Sequence, residues 1–319
     1  MNLKLLVLSF SLSMVVQAAP ALSNEIKKFP CVGGGTYSVS IPDGVAFDEY
    51  LCRGSLTIDN SVKTIEDGAF EDSYLTSVTI PNSVTSIGVR AFADSYLTSV
   101  TLGNSVISIG AQAFAGTSLT SVTIPNSVTS IGERAFCCTE LTSVTLGNSV
   151  SSIGALAFAD TLFTFVAIPS SMTIIGERAF ESTALTSVII PNSVIRIGER
   201  AFAETRLTSV TIPDSVTMID KEAFSSIATL ATVFLSNNLK FLGANAFGEN
   251  RSLTRIEYCG NLTGIPITPV CSAKAKAEAE AKAKAEAAKK KSTITCVKGK
   301  STLKVIGSSP RCPSGYKKR

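Results

Sequence analysis

The stretch LTSVTIPNSVTSIG occupies residues 75–88, and the same fourteen letters return at 119–132. A catalytic motif gains nothing from being copied at a fixed interval; a structural rung does. The interval of 44 is itself two steps. Leu75, Leu97, Leu119, Leu141, Phe163, Leu185 and Leu207 lie 22 apart, and Leu230 and Leu253 follow at 23. The pair Ala-Phe keeps the same beat from Ala69-Phe70 to Ala246-Phe247. A constant period of this size marks a solenoid. It is too short for the helix pairs of longer helical repeats and fits one coil containing one strand. Pro81, Gly103, Pro125 and Gly147 alternate behind the strand, then Pro169, Pro191 and Pro213 follow. The alternation suggests a duplicated double unit, which places identical stretches two coils apart.

One coil can be read physically. In Leu75-Thr76-Ser77-Val78-Thr79-Ile80, Val78 and Ile80 are related by the strand period of two and face inward with Leu75. Pro81 ends the strand, because it has no N–H to give a ladder. Val84 and Ile87 point inward from a second, shorter extended piece. Gly88 is expected to let the chain turn, and Ala91-Phe92 returns a small residue and a ring to the core. Stacked coils then sit about 4.8 Å apart, each strand pairing with its copy. A single coil cannot bury its own apolar face, so only the stack is stable. A small hydroxyl precedes each strand: Ser73, Ser95, Thr117, Thr139, Thr161, Thr183 and Thr205, with Asn250 in that place in the last full coil. These are expected to bond the backbone at the bend.

The register of strand, Ile-Pro, Ile-Gly and Ala-Phe in LTSVTIPNSVTSIGERAF (119–136) resembles the BspA-like leucine-rich repeat family of secreted and surface proteins. The resemblance covers residues 53–258. It implies a leucine-rich-repeat solenoid with a parallel β-sheet on one face and short extended pieces and tight turns on the other. It implies use in adhesion or protein binding and names no ligand. The family often carries Cys where these coils have Ser or Thr.

The flanks read differently. Residues 1–18, MNLKLLVLSFSLSMVVQA, have a Lys4 n-region, an apolar run from Leu5 to Val16 and small residues near a cleavage point: a secretory signal peptide. The run is shorter than the roughly 20 residues of a membrane span. The mature chain is therefore expected to be exported, without a membrane span. Residues 19–52 read as an N-terminal cap, in which Tyr37-Ser38-Val39-Ser40-Ile41-Pro42-Asp43 echoes the coil. Residues 259–272 read as a C-terminal cap. Caps are needed because terminal apolar faces would otherwise meet water. In an oxidising compartment, Cys31 with Cys52, Cys259 with Cys271 and Cys296 with Cys312 are the expected local bridges, although sequence leaves connectivity open. Cys137 and Cys138 stand inside a coil, where Ala93 and Asp94 stand two coils earlier. They read as drift at a small-residue position rather than a redox pair, since sequence neighbours bridge only with strain.

Residues 273–291, AKAKAEAEAKAKAEAAKKK, form a solvated helical spacer, about 28 Å long if fully helical. Glu278-Lys282, Glu280-Lys284 and Glu286-Lys290 are i,i+4 pairs in the favoured order. Residues 292–319 read as a basic, Cys-stapled hairpin module. From Ala273 onward there are 14 basic and 3 acidic residues, while residues 1–272 hold 15 and 22. An acidic body thus carries a basic tail, suited to an anionic envelope polymer.

Function follows from what faces outward. The residues flanking the central strand Val are Ser and Thr in most coils, including Ser143/Thr145, Ser187 and Ser209/Thr211. Phe165, Ala167 and Ile189 interrupt them. Exposed apolar clusters mark interaction sites, so these eight residues are the candidate ligand-binding face for an extracellular protein or glycan. The alternatives are an ice- or crystal-facing Ser/Thr ladder and a purely structural envelope protein. The chain has no His, which removes the commonest general base and metal ligand. Glu133-Arg134, Glu177-Arg178 and Glu199-Arg200 are expected to form solvated ion-pair rows. No residue is assigned to catalysis, a cofactor or a metal, and no nucleic-acid partner is expected.

Overall fold

The computed structural model describes residues 25–41, 45–48, 52–258, 292–298, 301–307 and 317–318. The expected signal peptide, spacer and C-terminal cap, with Cys259, Cys271 and Cys312, lie outside the described residues. Among the described residues every regular element is a strand, and no helix is long and apolar enough to cross a membrane.

The repeats stack as a solenoid of three-sided coils, numbered here by their Ala-Phe pairs, so that coil 1 ends on Phe70 and coil 9 on Phe247. The first side is the long strand, such as Ser99–Thr101 or Ser121–Thr123. The second is the short strand, such as Ser108–Ile109 or Ser130–Ile131. Both pair parallel with their copies in unshifted register, Val122 beside Val144 and Ile131 beside Ile153. The third side is a turn seam. Arg90, Phe92 and Asp94 donate their amides to the carbonyls of Ala111, Ala113 and Ala115 of the next coil at 2.8 Å each. Every joint from coil 1 to coil 9 repeats this trio.

The seam explains an otherwise costly backbone. Arg90, Arg134, Leu156, Arg178 and Arg200 have φ between 51° and 58°, and Asp94, Cys138 and Asp160 between 55° and 61°. The left-handed region costs a side-chain-bearing residue about 1–2 kcal/mol. Flanking the Ala-Phe-Ala unit with two such residues aims alternate amides along the solenoid axis, and the seam's hydrogen bonds hold the strain in place. The turn therefore belongs to these residues and not to Gly88, as the sequence reading had it. Gly88 has no left-handed φ; a Cβ there would stand 2.6 Å from the amide nitrogen of Asp67 one coil away. Its role is close approach between coils.

The core is a set of columns along the axis. Leu75, Leu97, Leu119, Leu141, Phe163, Leu185 and Leu207 are fully buried, as are the eight Ala-Phe rings from Phe70 to Phe224, with Phe247 closing the row nearly so. Those rings stack face over face, 5.1–5.9 Å between centroids and 4–11° between planes. The expected hydroxyl column forms inside the bend except at its first place: Ser95, Thr117, Thr139, Thr161, Thr183 and Thr205 donate to the carbonyl of the Phe three residues before, at 2.7–3.0 Å, while the buried Ser73 hydroxyl makes no such bond. At coil 8 the column holds Ile227, which has no hydroxyl. Asn250 from the next coil supplies both needs, its Nδ2 reaching the carbonyls of Phe224 at 2.8 Å and Phe247 at 3.0 Å. Thr139→Val keeps the shape and strips the donor from a buried carbonyl. It is expected to lower stability by about 0.5–1.5 kcal/mol in urea denaturation, with Thr139→Ser losing less; equal losses would mean that the hydroxyl contributes nothing.

The N-terminal segment is built on a different plan from its sequence echo. Glu25–Pro30, Thr36–Ile41 and Val45–Asp48 form an antiparallel meander, and the last of these pairs parallel with Thr64–Ile65. The Tyr37–Ile41 stretch thus extends the short-strand sheet instead of serving as a long strand. Cys31 bonds Cys52, with Cα atoms 5.5 Å apart. Buried Tyr37 sets its ring edge against Phe70 at 5.9 Å and stacks on Phe29 at 5.3 Å, so the aromatic column is covered at this end. Separately, Ser292–Lys298 pairs antiparallel with Ser301–Gly307 and with Lys317–Lys318.

The stack is not uniform. The long strands divide into four ladders, breaking after coils 3, 5 and 7, which follows the double-unit rhythm of the Pro-Gly alternation. The short strands break once, between Ser152–Ile153 and Ile174–Ile175. Neither sheet therefore crosses the joint between coils 5 and 6. The seam does, through Leu156, Phe158 and Asp160, each at 3.0 Å. This is where Phe163 replaces Leu and Met172 replaces Val. The Phe163 ring stands edge-on between Phe158 and Phe180, and those two rings are 5.9 Å apart, the widest step of the column.

Candidate interaction surface

The long-strand face carries the eight residues singled out by sequence. Alternation puts the central Val inward and its neighbours outward: Val122 is buried between exposed Ser121 and Thr123. Ser143 is half-buried and Thr145 exposed; both sit on the ladder of coils 4 and 5, beside Ser121 and Thr123. Phe165 and Ala167 sit on the next ladder, in register with Ser187 and Ile189. The apolar interruption is thus one contiguous patch, as expected. Ser209 is exposed and Thr211 half-buried, on the ladder of coils 8 and 9, beside Thr232 and Phe234. The eight residues share one face but span three ladders.

Their exposure differs from expectation. Phe165, Ala167 and Ile189 are half-buried and Ser187 is 8% exposed. More exposed apolar side chains lie elsewhere. On the short-strand side, Ile174, Ile195 and Phe241 are each about half exposed. Ile174 and Phe241 border a recess of about 520 Å³ with Glu177, Glu199 and Arg196, the last of these paired with Asp220 at 2.8 Å. Sequence reasoning missed this side, though the signal was present: the first short-strand position reads Ser86, Ser108, Ser130, Ser152, then Ile174, Arg196, Met218, Phe241. The hydroxyl row turns apolar and charged at the joint where the sheet breaks.

The charged rows on the turns also pair otherwise than expected. Arg134 and Arg178 reach their sequence neighbours Glu133 and Glu177 only at 3.9 Å. The close contacts lie elsewhere: Arg200 meets Glu181 at 2.5 Å and Glu222 at 3.0 Å in the adjoining coils, and Glu204, four residues on in its own turn, at 2.6 Å. The reason is geometric. Where a carboxylate of the adjoining coil stands in reach, as Glu71 does for Arg90 and Glu181 for Arg200, the guanidinium turns to it. The Arg200 hydrogen bond, followed by one from Lys221, holds the Glu222 carboxyl below the usual range. Burial, then the adjacent Cys138 thiol, pushes the Cys137 thiol up to about 12.

Comparison with known proteins agrees with this architecture. The family description "BspA type Leucine rich repeat region (6 copies)" matches residues 43–162 and 151–268. No curated protein matches the chain. Among solved structures, a leucine-rich repeat protein from Bacteroides ovatus is 23% identical, with 76% of this chain and 72% of that one covered and a TM-score of 0.53. A leucine rich cell surface protein from Faecalibacterium prausnitzii is 21% identical over 74% of this chain and 95% of that one, with a TM-score of 0.31. The family match spans well over half of the sequence and coincides with the stacked coils, and this chain belongs to the BspA-type leucine-rich repeat family.

Proposed function

We propose that this protein is an exported, cell-surface-associated binding module that recognises an extracellular protein or glycan through its long-strand face, with the basic segment 273–319 drawn to an anionic envelope polymer. The observation that carries the reading is that Phe165, Ala167 and Ile189 lie side by side in a face made mostly of Ser and Thr. Half-burial suits an anchor, because a ring already held by its neighbours loses little freedom on binding. The surrounding hydroxyls supply hydrogen bonds of adaptable direction. An ice- or crystal-facing lattice is disfavoured, since a face divided into four ladders does not offer one unbroken spacing.

The test is a glycan array and a panel of immobilised extracellular-matrix proteins probed with the mature chain. At least one ligand is expected to bind, and the Phe165→Ser, Ile189→Thr double variant is expected to bind it at least tenfold more weakly. Equal binding by the variant rejects the anchor. Removal of residues 273–319 should leave that binding intact and abolish retention on an anionic polymer, a retention that added salt should also weaken.

A further inference from the structure

The outer edge of the seam carries a column of left-handed positions: Asp94, Gly116, Cys138, Asp160, Ser182 and Glu204. Two departures from this column fall together. Gly116 leaves it without a side chain, and the Asp94 carboxylate leans over the gap, 2.3 Å from where a Cβ would stand. Beside it a recess of about 450 Å³ opens, bordered by Arg134, Cys137, Cys138 and Asp160. At its floor the two thiols of Cys137 and Cys138 and a carboxylate oxygen of Asp160 all lie within 4.8 Å of one another. Cys137 is 7% exposed, while Cys138 and Asp160 are open to solvent. Their backbones are fixed by the seam, Cys138 donating to Ala159 and Asp160 to Glu181, each at 3.0 Å.

We propose that Cys137, Cys138 and Asp160 form a binding site for one thiophilic divalent cation of the zinc class. The donor set argues for that class: two sulfurs select zinc over magnesium or calcium, which prefer all-oxygen shells. The size fits as well. With Zn–S near 2.3 Å and Zn–O near 2.0–2.2 Å, a tetrahedral ion holds its ligand atoms roughly 3.5–3.8 Å apart. Small side-chain rotations close the set from its present spread, and the recess leaves room for water at the fourth position. On binding, each thiol gives its proton to solvent and becomes a thiolate ligand; no electron moves. Two thiolates and a carboxylate exceed the charge of the ion by one, and Arg134 beside the recess offsets the excess.

The expected result is one zinc per chain in native mass spectrometry of the protein secreted into zinc-containing medium. Exchange for cobalt should then give a sulfur-to-cobalt charge-transfer band. Cys137→Ala and Cys138→Ser should each abolish that band, and Asp160→Asn should weaken zinc binding at least tenfold. The first two place at these positions what Ala115 and Ser182 already provide in other coils, so folding is preserved and circular dichroism checks it. Three outcomes overturn the proposal: no zinc at micromolar concentrations, a cobalt band that survives loss of either thiol, or a native chain lighter by two hydrogens through a Cys137–Cys138 disulfide.

Discussion

Phe114→Ala is expected to lower the stability of the stack by about 3–5 kcal/mol. Its ring is fully buried and lies between Phe92 and Phe136, 5.2 Å from each. Truncation removes the transfer energy of the ring and leaves a cavity that the coils cannot close. The backbone of Phe114 is pinned to Ala135 at 2.8 Å and that of Phe92 to Ala113 at 2.8 Å, so neither neighbour can slide inward. Two stacking contacts vanish as well, each worth about 0.5–1.5 kcal/mol beyond area burial. Each coil touches only its neighbours, so the loss should be local: amide exchange should quicken in coils 2–4 first and leave coils 7–9 protected. Urea denaturation gives the total. A loss below about 1 kcal/mol, or the same loss from Phe241→Ala at the half-exposed edge, would refute the column as the main source of stability.

Gly132→Ala adds one methyl and is expected to cost about 1–3 kcal/mol. Its φ is not in the left-handed region, so backbone preference is not the reason. The added Cβ would stand 2.4 Å from the Ala111 nitrogen and 2.6 Å from the Gly110 carbonyl carbon. Both are main chain, held in the seam and the short-strand ladder, and neither can swing aside as a side-chain tip would. Relief requires coils 3 and 4 to part, which stretches the 2.8 Å bond from the Gly132 amide to Ile109. Asp220 occupies the same place in coil 8, so separation is possible where the local backbone is built for it. The urea midpoint reads the effect; an Ala variant as stable as the parent would mean that the coils are looser than their hydrogen bonds imply.

Much of the architecture was legible because a period is a long-range signal written locally. The columns of Leu, Val, Ile and Ala-Phe each needed only a count of 22, and the bend hydroxyls and the Cys31–Cys52 bridge followed from position. What stayed hidden depends on the neighbouring coil rather than on the residue itself. Arg90 and Leu156 have no preference for left-handed backbone; the seam imposes it. Gly88 looked like a turn former because its conflict with Asp67 lies a coil away. The direction of the Thr36–Ile41 strand could not be read from letters that mimic a parallel rung. At the candidate face, sequence identified which residues break the hydroxyl pattern but not how deeply they sit. The matching change from Ser152 to Ile174 falls on the other strand of each coil, where a two-residue strand carries too short a pattern to stand out.

The joint between coils 5 and 6 governs how the molecule bears a pull. Elsewhere at least one sheet helps the seam to carry tension along the axis. Here the three amides of Leu156, Phe158 and Asp160 take the load, helped by contacts such as Leu162 to Leu141 at 2.9 Å and the Ser171 hydroxyl to Val150. Tugged from its ends, the stack is expected to yield first at this joint, its two halves parting as stiff arms before either one frays.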